Sequence, residues 1–440
     1  MGTEILLTFE GLTLTYSKNF RGMDHGMLFQ EKDRKRIRSD QVDYDYYEQH
    51  KDEDATPMEM SFVKPLKGVL SRLELLGFTL RHAKDEYEAR CEACHEERMD
   101  MAGEDEKPQI DFLSFEEFVA LVTSHAVQSL DDTYTLDDRE KEDEAILGRF
   151  AGQKYWERLP HSWEDDERQS YSERSYFGDL ITVLHPYSLL RVLAANEANL
   201  NGNVLWNYGP LVHNGYASDS EFTADARRTQ TFLVATEGSS DAYILKHALT
   251  LLRPEIADFF RFIDVSERHP FSGTGNLLKF AEGLAKIDVH NQIVFLFDND
   301  AEGSDVYKRV SAFTLPMNMR AMMLPDMEAL RNFTTEGPEG TRHADINGRA
   351  ASIECYLDLD YGGSPPAKVI WTNYKKELGV YQGSLEGKEV YTKAFLKVTP
   401  VKLASGTYNV EKLQAVLDAL ESECSSIATE GLKLKDNDQH

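Results

Sequence analysis

The chain has no uninterrupted apolar run close to the ~18 residues that a membrane span requires, so no transmembrane helix is expected. Cysteine is scarce, four in 440 residues. The N-terminal MGTEILLTFEGL lacks a basic region and carries Glu4, so it does not read as a secretory signal. A cytoplasmic, reducing setting without a disulfide framework is therefore expected. Gly2 invites a myristoylation reading, but Leu6 stands where that motif wants Ser or Thr. There is no GxxxxGK[ST] phosphate loop, no internal repeat and no low-complexity tract. Positive charge is also in deficit: 48 Lys and Arg face 76 Asp and Glu, a net of -28. Residues 1–230 hold 46 acids and 26 bases, net -20, and the remainder 30 and 22, net -8. A globally acidic chain repels nucleic acid at long range. Such a partner would have to be met at a local basic surface or through bound metal ions, and the C-terminal half is the place to look.

What is present belongs to a globular protein: 41% hydrophobic, 10% aromatic and 28% charged residues. A length of 440 residues suggests two or three domains. ILLTF and LTLTY, separated by Glu10-Gly11, read as a strand pair. The charged stretch from Glu31 to about Pro57 reads as a solvated connection. From Ser61 the apolar positions Val63, Leu66, Val69, Leu70, Leu73 and Leu76 predict a helix. DFLSFEEFVALVTSHAV predicts a second, with Ser114 and Glu117 as a capping box. The acidic run 131–144 is expected to be solvated. FGDLITVLHPYSLLRVLAANEANL predicts a helical region broken at Pro186.

After Asp225 the texture changes. The strands TFLVAT, FRFIDVS, QIVFLF and RAMML alternate with helical stretches, with Ser239 as a candidate N-cap, which predicts a parallel sheet covered on both faces. GRAASIECYLDL reads as helical and NVEKLQAVLDALESEC as an amphipathic C-terminal helix. The expected organisation is a small β-containing region at 1–60, a helical region at 61–228, an α/β domain with a Rossmann-like parallel sheet at 229–400, and a C-terminal helix and tail at 401–440.

Two apolar strands end in acids: LVATEGSSD places Glu237 at a strand exit and Asp241 a turn later, and FLFDNDAEG places Asp298 and Asp300 around Asn299. The carboxyl ends of parallel strands are where open α/β sheets carry their sites. Carboxylates converging there repel one another unless a cation sits between them. Mg²⁺ suits carboxylates together with substrate phosphate oxygens. Gly238 would allow close backbone approach and Gly303 a turn away.

These residues resemble a known family. EGxxD at Glu237–Asp241 and DxD at Asp298–Asp300, each following an apolar strand, resemble the Toprim domain of topoisomerases, primases, recombination factors and overcoming-lysogenization-defect nucleases. Ser352-Ile353-Glu354 fits the later SxE motif of that last branch. GLTLTYSKN and LFQEKDR, with WTNY and YQGSLEGK near the C-terminus, resemble bacterial HEPN/Toprim-associated proteins of antiphage and toxin-like contexts. The resemblance covers residues 230–400 well and the first 60 loosely, and leaves 60–225 unplaced.

It implies a two-metal nuclease using Mg²⁺ or Mn²⁺. Glu237, Asp298 and Glu354 would serve one ion, Asp241 and Asp300 would complete or bridge to the second, Glu237 would double as general acid/base, and Ser352 would orient a ligand. Lys388 is a candidate cation near the scissile phosphate. Residues 360–402 carry seven lysines against four acids. With Trp371, Tyr374, Tyr381 and Tyr391 interleaved, Lys368, Lys375, Lys376 and Lys393 read either as a nucleic-acid surface or as an ordinary lysine-rich outer face. An activating partner protein and a homodimer are further expectations, and the acidic N-terminal half suits a self-inhibited enzyme.

Other readings are weaker. Cys91–His95 matches the haem string CxxCH, but that chemistry belongs to exported proteins, and as a zinc site it lacks a second cysteine pair. Arg90 to His95 satisfies the R-x4-H pattern of HEPN ribonucleases at the frequency chance supplies. SGTGN at 272–276 reads as a turn more readily than as a phosphate contact. A haloacid-dehalogenase-like phosphatase built on Asp298 and Asp300 would want Thr or Val where Glu302 stands. Strand passage lacks a tyrosine nucleophile context. A non-catalytic Toprim-like sensor of nucleic acid or of a partner is the other reading.

Overall fold

The computed structural model describes residues 2–39, 41–102, 111–134, 146–161, 170–263, 273–287, 289–363 and 366–437. These fall into two compact units, Met1–Ala226 and Arg227–His440.

In the first unit, β1 (Glu4–Phe9) and β2 (Leu12–Lys18) form the expected hairpin, its turn made by Glu10 and Gly11 at φ 48° and 81°. With β3 (Arg34–Arg36), β4 (Met60–Pro65) and β5 (Asn203–Asn207) they build an antiparallel sheet in the order β2-β1-β5-β4-β3. Residues on both sides of position 60 thus share one sheet. The stretch from 61 is not helical from its start: residues 60–65 are a strand buried on both faces, and the helix Leu66–Leu75 begins only after Pro65. The charged stretch at 31–57 is not simply solvated either. Asp33 is buried with Lys64 at 2.7 Å, and the Arg34 guanidinium lies 4.6 Å from the centre of the Phe62 ring. Further on, the capping box at Ser114 starts the helix Phe115–Thr123, and Pro186 is the first residue of the helix Pro186–Leu193. Of the acidic run, residues 135–144 lie outside the described residues.

The second unit is built on four parallel strands, β6 (Phe232–Thr236), β7 (Phe260–Phe262), β8 (Gln292–Phe297) and, after the two-residue β9 (Asn299–Asp300), β10 (Met319–Met323). Their order is β10-β8-β6-β7. Ile293, Phe295 and Phe297 of β8 point to one face, where they form a core with Leu277, Leu278 and Ala281 of the helix Thr274–Leu284 and Val306 and Val310 of the helix Ala301–Ser311. The helices Ser239–Leu252 and Glu411–Asn437 pack against each other and against the sheet. The second part of FRFIDVS, from residue 264, lies outside the described residues.

A second sheet follows: β11 (Phe333–Gly337), β12 (Gly340–Ala344), β14 (Val369–Lys375) and β15 (Val380–Leu385) in the order β12-β11-β14-β15, with the short β13 (Ala350–Ala351) pairing instead with β9. The stretch 348–359 is therefore not a helix. It is β13 followed by one 3₁₀ turn, Ile353–Tyr356, all four residues of which are buried.

Candidate metal centre

The strand order reverses between β6 and β8: the chain leaves β6 for β7 on one side and returns to β8 on the other. At such a switch point the two following connections diverge and open a crevice at the strands' carboxyl ends. Glu237 leaves β6 there, and Asp298 leaves β8.

The acids are held by donors from several elements. Glu237 accepts from the Asp298 backbone N–H at 3.1 Å and from the Thr274 hydroxyl at 2.7 Å. Asp241 accepts the Gly238 N–H at 2.9 Å, capping the helix that Gly238 precedes; Ser239, the expected cap, is that helix's first residue. Asp300 caps the helix Ala301–Ser311 through the Gly303 N–H at 2.7 Å, and its other oxygen accepts from Gln382. Asp298 accepts the Ile353 N–H at 3.2 Å, which draws the SxE turn alongside. Glu354, 1% exposed, accepts from the Ser352 hydroxyl at 2.7 Å and faces the Lys388 ammonium at 3.3 Å.

The carboxylates crowd one another: Asp298 feels the other four, Glu237 feels Asp300 and Asp241, and Asp241 feels Glu354. Burial pushes Glu237 up to about 7, with Asp300 and Asp241 adding and the Thr274 hydroxyl opposing. Burial, then Glu354, pushes Asp241 up to about 6. Asp298 is raised well above the usual carboxylate range by burial and by the other four acids. Burial also raises Asp300, against its bonds to Gly303 and Gln382. For Lys388, burial alone would lower the ammonium pKa; Glu354, Asp298 and Asp241 outweigh it and raise the value. An all-oxygen set carrying this much repulsion suits a hard divalent cation. Its geometry stops short of a closed site: among the described residues no three His, Cys, Asp or Glu side chains are placed to ligate one ion. Each carboxylate is instead engaged by the chain's own N–H, O–H or ammonium groups.

The lysines separate. Lys368 is paired with Glu336 at 2.7 Å and Glu386 at 3.1 Å, and Lys375 with Glu302. Lys376 and Lys393 are exposed. Tyr391 is buried in the core and offers no stacking face, whereas Tyr374 and Tyr381 are 54% and 49% exposed. Arg90 and His95 do not form a pair: Arg90 donates to the Pro160 carbonyl, while His95, five residues on along the helix Leu80–Ala102, is exposed. Cys94 is buried against the Pro160 carbonyl, and burial pushes the Cys91 thiol up to about 11.

Several residues of the site had no signal in the sequence. Asn299, read as the spacer of DxD, is fully buried; it donates to Asp326 at 2.7 Å and accepts the Gly348 N–H at 2.8 Å, tying the connection after β8 to the segments after β10 and before β13. Thr274 opens a helix where a turn was expected, and residue 272 of that motif lies outside the described residues. Exposed Arg349 forms a backbone bridge with Asp300, and Gln382 joins the Asp300 carboxylate to β15.

Taken together, the second unit is an α/β domain with a parallel sheet and an acidic crevice at its switch point. The chain belongs to the HEPN/Toprim N-terminal domain 1 family, whose model matches residues 1–230. The match runs through 61–225, the stretch that sequence resemblance left unplaced. No curated protein and no solved structure matches the chain. Among the described residues no helix is long and apolar enough to cross a membrane.

Proposed function

We propose that the second unit is a Toprim-like nuclease of the overcoming-lysogenization-defect type, hydrolysing phosphodiester bonds of DNA or RNA with Mg²⁺ or Mn²⁺. The observation that carries this reading is the carboxylate cluster at the switch point of a parallel sheet, centred on Asp298, which the other four acids raise. The family name of the first unit supports a nuclease-related role. Antiphage defence or a conditional toxin is the proposed setting, in the cytoplasm.

Glu237, Asp298 and Glu354 would hold one ion if drawn closer together, with Asp241 and Asp300 completing or bridging to a second once released from their own hydrogen bonds. Such ions, when bound, supply charge stabilisation for the attacking and leaving oxygens of an in-line displacement. Glu237, which burial pushes up to about 7 in the metal-free site, would serve as the general acid/base. Lys388, anchored by Glu354 with its side chain 45% exposed, offers an ammonium to a phosphate oxygen. Ser352 fixes the Glu354 carboxylate. Nucleic acid would be met by Lys376 and Lys393, and by Lys368 and Lys375 once released from their acids. The absence of a three-carboxylate ligand set among the described residues favours a conditional enzyme, completed by a partner protein or a homodimer. The same observation favours the second reading, a sensor that binds without cutting.

The test is cleavage of supercoiled plasmid and of total tRNA in Mg²⁺ and in Mn²⁺, comparing wild type with Glu237→Gln and Asp298→Ala. The expected outcome is metal-dependent cutting that falls on the order of 100-fold or more in either variant. Chelator-sensitive binding with no cutting would establish the sensor, and indifference to metal in every respect would end both readings.

A further inference from the structure

A cavity of about 700 Å³ adjoins the acidic crevice. One wall is the start of the helix Thr274–Leu284, where Thr274 also holds Glu237, and another is the start of the helix Ala301–Ser311, which Asp300 caps. The third wall is the turn between β14 and β15, led by Tyr374. That hairpin is fastened to the crevice by Gln382, which donates to Asp300 and accepts the Glu302 N–H at 3.1 Å. Tyr374 and Tyr381 are direct cross-strand partners with ring centres 5.0 Å apart, and Trp371 lies 6.4 Å beyond Tyr381. Three aromatic rings thus run in a row along one hairpin, with Tyr374 at one end and Tyr381 in the middle about half exposed.

Among the described residues the charge of the lining is balanced: Lys279, Lys375 and Lys376 stand against Glu302, Asp305 and Glu377. A groove that tracks a phosphate backbone is strongly positive, and this one is not. Its volume lies within the range of pockets that enclose one small organic group, and its exposed aromatic wall offers a stacking face. A duplex keeps its bases stacked and paired, so a base can enter such a pocket only from a single strand or an extruded position.

We propose that this cavity takes one unstacked nucleobase next to the scissile phosphate, so that the substrate is single-stranded nucleic acid; the inference rests on the nuclease reading above. Tyr374 stacks on the base, and Lys376 and Lys279, both exposed, reach its flanking phosphates.

The experiment measures fluorescence anisotropy of labelled oligo(dT), oligo(U) and a blunt duplex, with the wild-type chain in EDTA and the Glu237→Gln chain in Mg²⁺. Single strands should bind at least roughly ten-fold more tightly than duplex, Tyr374→Ala should remove about ten-fold, and Tyr374→Phe should bind as wild type. The logarithm of affinity should fall with the logarithm of salt with a slope of only about 1 to 2, since few phosphates are neutralised. The oligo(dT) and oligo(U) arms separate DNA from RNA. Equal binding of duplex, no effect of Tyr374→Ala, or no binding of either oligonucleotide would overturn the proposal. Cleavage by the wild-type and Tyr374→Ala chains, assayed separately in Mg²⁺ and in Mn²⁺, separates the two ideas. Duplex cutting unaffected by Tyr374→Ala removes the pocket and leaves the nuclease, whereas Tyr374-dependent binding without cutting in any metal does the reverse.

Discussion

Glu237 sits between opposing influences of which burial is the stronger, pushing it from its ordinary 4.5 up to about 7. Burial and the neighbouring carboxylates raise it, while the Thr274 hydroxyl and the Asp298 N–H favour its charged form. Thr274→Val removes one of those stabilising bonds, so the Glu237 pKa should rise further. If Glu237 acts as the base, the acidic limb of the pH–rate profile moves to higher pH, and activity at neutral pH drops roughly ten-fold with the alkaline plateau kept. A uniform loss at every pH would assign Thr274 a structural role only. The acids themselves were legible because each follows a buried strand or closes a short motif. Thr274, Asn299 and Gln382 were not, since an uncharged polar residue becomes part of a site only through the element that carries it there.

At the scale of elements, the connection after β8 depends on Gly303. A Cβ built there would meet the Asp298 carbonyl oxygen at 2.1 Å, a backbone atom that cannot step aside. Gly303→Ala should lower stability by roughly 1–3 kcal/mol, read from denaturant midpoints, and should displace Asp298 enough to abolish metal-dependent cutting. A variant with wild-type stability and activity would show that the turn relaxes freely. The core strands and the helices between them were legible because β8 and its neighbours are short apolar runs bounded by helical periodicity. Two stretches were misread for physical reasons. Residues 60–65 are buried on both faces and mix apolar residues with the buried Ser61 and Lys64, so period-two alternation is lost and Val63 falls by accident into register with the helix that follows. Residues 348–359 have helical composition, but their backbone is claimed by β9: Ala350 pairs with Asp300 and Ala351 with Asn299.

For the whole molecule, the carboxylate cluster should make stability depend on pH and, on the metal reading proposed above, on divalent metal together. A raised pKa means that the folded carboxyl keeps its proton where the unfolded one has lost it. The contribution of Glu237 is therefore intact below its ordinary value of 4.5 and is lost as pH rises through about 7. By calorimetry in EDTA, wild type should lose stability relative to Glu237→Gln across that window. Mg²⁺ should restore it by preferential binding to the folded state, and Asp298→Ala should abolish the Mg²⁺ response. Parallel pH curves for wild type and Glu237→Gln, with or without Mg²⁺, would refute the coupling.

The sequence by itself determined the parallel α/β character of the second unit, the strand pair at the N-terminus, the capped helix at Ser114 and the break at Pro186. It also singled out the five acids and Lys388. The elements and the four strand-end acids follow from local rules of periodicity, capping and turn chemistry that act within a dozen residues, whereas Glu354 and Lys388 entered through the family resemblance. Only the tertiary structure decided that Asn203–Asn207 lies between β1 and β4, that Ser352 and Glu354 reach the crevice through a two-residue ladder, and that Tyr391 is core while Tyr374 is surface. Those outcomes depend on pairing between segments tens to hundreds of residues apart, where strand register and burial, rather than local preference, select the partner.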